Sequence, residues 1–299
     1  MLDVRRLRLL CDLSRLGTIA AVAAAHTYTA SAVSQQLSAL EREAGVPLLE
    51  RTGRRVTLTA AGRVVVRHGT VVLAALEQTS AALTALAAGL SGPLRIGAFP
   101  TAVRALLPAT LVALGRSHPG LELMVTELDP VDVPAALGDG RLDVGLVNDY
   151  DLVPALPDPA LETVELLAET VFLAVPASFG AVGLAGLRDA AWILATPGTL
   201  CHTVSVQVCR GAGFVPRGRH RADDFATVLA LVAAGFGVSI VPQLAVAEPP
   251  AGVRLVPLPI RRRTRVACRR GAAAHPAVTA FIGAIRDAVR DGLPDGQLD

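Results

Sequence analysis

The chain has 299 residues, enough for two or three domains each with its own core. Apolar residues make up 52%, which excludes a disordered chain, and the net charge is only +2. All 28 basic residues are arginine; ten of them face six acids in residues 1–91, against eighteen and twenty in residues 92–299, the pattern of a nucleic-acid module joined to a near-neutral body.

Four cysteines, Cys11, Cys201, Cys209 and Cys268, are too few for a disulfide framework and read as reduced thiols. Asp3, Asp12 and Arg15 interrupt the only stretch that imitates a signal peptide. Residues 225–247 carry no charge, but Gly235, Gly237 and Pro242 break them, so a buried helix, a turn and a buried strand are expected there. The protein is therefore expected to be soluble and cytoplasmic, with no membrane partner.

In chain order, residues 2–16 read as a helix with Leu7, Leu10, Leu13 and Leu16 on one face. Gly17-Thr18 restarts the chain into a short helix over residues 19–25, and His26-Thr27-Tyr28 breaks it. A third helix over residues 29–44 buries Val33, Leu37, Leu40 and Ala44. Its outer face carries Ser31, Ser34, Gln35, Ser38 and Arg42, with Thr29 at its start. Two short helices of this kind outline a helix-turn-helix, and small hydroxyls with a glutamine can reach base edges in a major groove. Arg51, Arg54 and Arg55 around Gly53 then suggest a hairpin wing that sets guanidinium groups on phosphates. Thr59 opens a long helix to about residue 89, whose Leu76, Leu83 and Leu90 repeat every seven residues and call for a partner, most simply a second copy.

From Pro93 onward strands and helices alternate, which predicts mostly parallel sheets with ligands at strand carboxyl ends. Strand 94–98 turns into a helix at Phe99-Pro100-Thr101, and Thr196-Pro197-Gly198-Thr199 opens the helix that carries Cys201 and His202. Free N–H groups and hydroxyls at these starts would suit a small anion, with Phe99 and Phe225 as apolar wall. Asp223-Asp224 reads as helix capping, and the arginines at 261–263, 265, 269 and 270 read as a charged, solvated strand edge. There is no metal-ligand cluster, phosphate-binding glycine loop or nucleophile elbow, so neither an enzyme nor a cofactor is expected.

Residues 17–62 resemble the DNA-binding segment of the LysR-type transcriptional regulators without a gap. The family pattern G-S-F-T-A-A-A is met by Gly17-Thr18-Ile19-Ala20-Ala21-Val22-Ala23. Its S-Q-P-A-V-S-x-Q-I-x-x-L-E is met by Thr29-Ala30-Ser31-Ala32-Val33-Ser34-Gln35-Gln36-Leu37-Ser38-Ala39-Leu40-Glu41, and Arg51 to Gly62 follow its R-x-x-R-x-x-x-L-T-x-A-G. Ala30-Ser31 replaces the usual Gln-Pro, so a common adenine reader is missing. His26 stands where the family usually has Leu and is read as a partly buried core residue. Further on, Gly140-Arg141-Leu142-Asp143-Val144-Gly145-Leu146 and Ala234 to Pro242 are similar to two motifs of the family's effector half.

The resemblance implies a winged helix-turn-helix over 1–58, a dimerising linker helix over 59–91 and a two-lobed, type-2 periplasmic-binding-protein-like α/β domain over 92–299. Lobe 1 would take about 93–165 and 267–299, and lobe 2 about 166–266. It implies an inverted-repeat DNA operator, a small and anionic effector, a homodimer that pairs into a tetramer, and contact with RNA polymerase. Peroxide-sensing members keep a cysteine pair near Cys201 and Cys209, so a redox-sensing regulator is the alternative. On one helix an eight-residue separation is ~12 Å, beyond the ~7 Å reach of a disulfide, so such a sensor would have to unwind. Cys201, near a helix start and beside His202, would then be expected to have a lowered pKa.

Overall fold

The Asp3 carboxylate accepts from the N–H groups of Arg5 and Arg6 and starts α1 (Val4–Leu16), which ends at Gly17 with a φ of 76°. Thr18 caps α2 (Ile19–Ala25) and Thr29 caps α3 (Ala30–Ala44) in the same way, accepting from Ala21 and Ala32. Leu10, Leu13, Val33, Leu37 and Leu40 bury the faces expected from their spacing and share one core with Leu9, Val22 and Leu48. β1 (Leu49–Thr52) and β2 (Arg55–Leu58) form the expected hairpin, Thr52 opposite Arg55.

α4 (Ala60–Leu86) is ~40 Å long at ~1.5 Å per residue. Thr59 Oγ1 accepts from the Gly62 N–H at 3.0 Å and donates to the Pro47 carbonyl at 2.9 Å, fixing the helix start to the hairpin. A methyl group at Gly62 would overlap the Leu48 carbonyl oxygen, so this close approach requires glycine.

The computed structural model describes residues 1–52, 55–86, 90–180, 183–246 and 249–292, without the side chains of residues 51, 52, 55, 85 and 86. After the linker, β3 (Ser91–Ala98) leads through α5 (Pro100–Ala105) and α6 (Leu107–Ser117) to β4 (Gly120–Glu127). Then come α7 (Val133–Gly138), β5 (Val144–Tyr150) and the sixteen-residue β6 (Leu161–Pro176). β7 (Ala191–Leu194), α8 (Leu200–Gly211), β8 (Arg217–Arg221), α9 (Phe225–Ala233) and β9 (Ser239–Pro242) follow. The seventeen-residue β10 (Val253–Arg269) and α10 (Pro276–Gly292) close the chain.

Six strands form one sheet in the order β4-β3-β5-β10-β6-β9, and β7 pairs with β8 in a second. The large sheet is mixed. β3 is parallel to β4 and β5, but β10 is antiparallel to β5 and β6, and β6 is antiparallel to β9. The expectation of mostly parallel pairing is corrected by β6 and β10, which run side by side through both lobes. Both strands extend well beyond their apolar runs, which Glu162, Glu165, Glu169 and the arginines of 261–265 interrupt.

One core packs Ile96, Leu107, Phe281 and Ile285 beneath the first lobe; another gathers Trp192, Leu173, Val204 and Cys209 in the second. Among the described residues no helix is long and apolar enough to cross a membrane.

Candidate nucleic-acid interface and effector cleft

With Val33, Leu37 and Leu40 buried, α3 must turn its polar stripe outward: Ser31, Gln35, Ser38 and Arg42 are exposed, as is Thr29, and Ser34 is half-buried. Thr29 Oγ1 is shared between its cap bond and the Ser31 hydroxyl at 3.0 Å. Glu41 Oε1 accepts from the backbone of Leu48 and Leu49 at 2.9 and 3.0 Å and fastens the hairpin to α3. Arg51 and Arg55 lie on the paired strands, with side chains outside the described residues, and Arg54 lies outside them altogether. His26 is part-buried and meets the buried Asp12 at 2.7 Å. Asp12 also pairs with Arg15, whose guanidinium donates to the Pro134 carbonyl of the effector half.

The predicted effector residues converge in part. A cleft of about 300 Å³ between the lobes is lined by Phe99, Pro100, Thr101, Thr199, Cys201 and Phe225. Thr196 and His202 do not line it. Thr196 instead donates to Asp223 from its N–H and its hydroxyl, at 2.7 and 2.8 Å. Thr199 is a true helix cap: its hydroxyl accepts from the His202 N–H and donates to the Thr196 carbonyl. Thr101 is neither a cap nor outward-facing. Phe99 is the N-cap of α5, and the Thr101 hydroxyl is buried, accepting from Arg262 at 3.2 Å.

Arg262 corrects the expectation of a solvated edge. β10 lies between β5 and β6, not at the rim, and Arg262 is 1% exposed. Its Nε donates to Glu169 Oε1 at 2.7 Å, and its guanidinium sits 4.9 Å over the Phe99 ring. Glu169 in turn accepts from the Leu244 N–H at 2.6 Å. Arg263, Arg265 and Arg269 pair with Asp151, with Asp149 and Glu165, and with Glu77, while Arg270 donates to the carbonyls of Pro159 and Leu161. An isolated sequence could not reveal this, because the arginines' partners lie 93 to 192 residues away. Glu127, Asp129 and Asp223 also line the cleft.

Cys201 forms part of the cleft wall. Burial pushes its thiol up, outweighing the opposing pull of the Arg262 charge and the Tyr150 hydroxyl, so the expected lowered pKa is overturned. Cys209 is fully buried on the same unbroken helix, and burial pushes it up to about 12. Asp224 caps α9 through the Thr227 N–H, and its carboxylate meets Arg104 of the first lobe at 2.8 Å.

The model of the bacterial regulatory helix-turn-helix protein, lysR family, matches residues 4–63, and that of the LysR substrate binding domain matches residues 87–290. The chain belongs to the LysR family of transcriptional regulators. Among its relatives is a probable hydrogen peroxide-inducible genes activator of Streptomyces viridosporus, 33% identical over 90% of this chain and 88% of that one. Among solved structures, a hydrogen-peroxide-bound cysteine mutant of OxyR from Corynebacterium glutamicum is 26% identical, covers 98% and 94% of the two chains, and superposes with a TM-score of 0.57. Full-length CbnR in complex with its target DNA is 26% identical over 96% and 99%, with a TM-score of 0.52. The LysR-type architecture expected from the sequence, a DNA-binding head followed by an effector-binding domain, is thus the observed one.

Proposed function

We propose that this LysR-type regulator binds an inverted-repeat operator as a dimer and reads a small effector in the cleft between its lobes. The polar stripe of α3 carries the first half of the reading: Thr29, Ser31, Ser34, Gln35 and Ser38 face bases, and Arg51, Arg54 and Arg55 hold phosphate or the minor groove beside the wing. Val72, Leu76 and Leu83 of α4 are exposed in the single chain, which supports burial against a second copy and, through it, a dimer of dimers. Replacing Leu76 and Leu83 with Glu is expected to give monomers that bind the DNA upstream of the gene without cooperativity in anisotropy titrations. A dimer that persists in that variant refutes the assignment.

In this reading the chain divides into residues 1–58, 59–91 and 92–299, works in the cytoplasm, contacts RNA polymerase as a regulator and catalyses nothing. The effector meets Phe99, Thr101, Thr199 and Phe225. The start of α8 forms the positive end of the cleft, and Glu127, Asp129 and Asp223 a negative one. A small carboxylate that also carries donors, such as an amino or hydroxy acid, matches both ends. Thermal-shift titration with such acids is expected to find a stabilising ligand whose effect Thr199→Val and Thr101→Val remove while DNA binding stays. Unchanged titrations in both variants would move the site elsewhere.

Two observations favour a second reading, a thiol sensor: Cys201 lines the cleft, and several relatives are named for peroxide induction. Peroxide treatment followed by peptide mass mapping tests it, a Cys201–Cys209 linkage supporting the sensor and unmodified thiols excluding it.

A further inference from the structure

Beside the effector cleft lies a larger cavity of about 1020 Å³, which shares Pro130, Asn148 and Leu200 with it as common walls. β5, β10, the start of β6 and residues 153–158 form its floor and sides. Gly198, Leu200 and Thr203, around the first turn of α8, reach it from the second lobe. Much of the lining is apolar, including Val131, Val153, Leu156 and Leu200.

Asp149 lines this cavity and is 5% exposed. Its Oδ2 accepts from Arg265 at 2.9 Å and from the Ala155 N–H at 3.2 Å. Its Oδ1 is buried and has no hydrogen-bond partner among the described residues. A buried carboxylate oxygen without a donor is costly, so it marks a place where a donor is wanted. The charges around it set the sign. Asp149, Asp158, Glu162 and Glu165 line the cavity against Arg263, Arg265 and Arg270, and each of these arginines already meets an oxygen. An anion entering here would find acceptors and engaged cations, whereas an ammonium group would find an acceptor lacking only its donor.

We propose that this cavity is a second ligand site, for a small organic amine whose ammonium group donates to Asp149 Oδ1 and whose apolar body rests on Val131, Val153, Leu156 and Leu200. The shared walls give the site a consequence. A ligand here presses on Leu200, next to Cys201, and so biases the first turn of α8, which also bounds the effector cleft. The site does not depend on the identity of the effector or on the DNA contacts.

Benzylamine, benzyl alcohol and benzoate serve as probes that share a body and differ in charge, titrated into the full-length protein by ligand-observed NMR. Benzylamine is expected to bind about tenfold more tightly than benzoate, and benzyl alcohol to fall between them. Val131→Trp fills the cavity from an exposed position, so it is expected to fold normally, keep DNA binding and lose benzylamine. Asp149→Asn is expected to weaken benzylamine by a similar factor, and if it fails to fold the Val131 variant decides. Equal binding of benzoate and benzylamine, or wild-type benzylamine binding in Val131→Trp, overturns the proposal.

Discussion

Helix α3 and the cleft between the lobes place their polar groups on opposite sides of the solvent boundary. On α3 a buried apolar stripe turns Ser31, Gln35 and Ser38 outward into solvent. In the cleft the buried charge of Arg262 is sealed inside by Glu169, Thr101 and the Phe99 ring. The head can therefore exchange one surface side chain for another at little cost to stability. The cleft cannot change its central pair without weakening the fold that joins its lobes.

Four measurements sharpen or break that contrast. The largest effect is expected at the buried Arg262–Glu169 pair. Arg262→Met leaves Glu169 buried without its cation and should cost ~3–5 kcal/mol in denaturant unfolding. Adding Glu169→Leu should recover most of the loss; no recovery would show that the pair matters for packing and not for charge. At the head, Gln35→Ala should leave stability within ~0.5 kcal/mol yet lower discrimination at one base pair of each half-site by ~1–3 kcal/mol. Competition binding against single-base operator variants reads this directly, and a loss of stability without loss of specificity would contradict the outward assignment.

A smaller effect is expected at Thr199, where cap and cleft wall coincide. Thr199→Val should cost ~1 kcal/mol by removing the bond to the His202 N–H, whereas Thr199→Ser should restore it. The smallest concerns Asp224. Partial burial acts to raise its carboxyl, but the bonds from Thr227 and Arg104 prevail and hold it down at about 2. A depressed carboxyl stabilises the fold above its ordinary value near 3.8 and loses that contribution as pH falls toward 2. The stability difference between wild type and Asp224→Asn should therefore shrink between pH 4 and about 2; a constant difference would remove the charge from the account.

How much was legible follows from the range of the interactions. Thr18, Thr29 and Asp224 cap helices a few residues away, and the stripes of α1 and α3 repeat every three or four residues, so the sequence alone determined the head, its outward face and the family. Six of the eight expected cleft residues also lie at the starts of helices or next to them, where a turn after a strand is readable. Thr196 and His202 stay outside the cleft because their directions depend on Asp223 and on the rotation of α8.

Tertiary structure alone decided what the arginine run of β10 does. Alternate residues of a strand face opposite sides, and which side is buried depends on the neighbours the strand acquires. Placing β10 between β5 and β6 turned Arg262 inward onto Glu169, 93 residues away, and set Arg265 against Asp149. Burial of Cys201 likewise raises the thiol that proximity to a helix start suggests would fall, because burial depends on the whole lobe and outweighs the opposing charge of Arg262. Local spacing determines which surfaces a chain can offer; long-range pairing determines which of its charges are taken out of water.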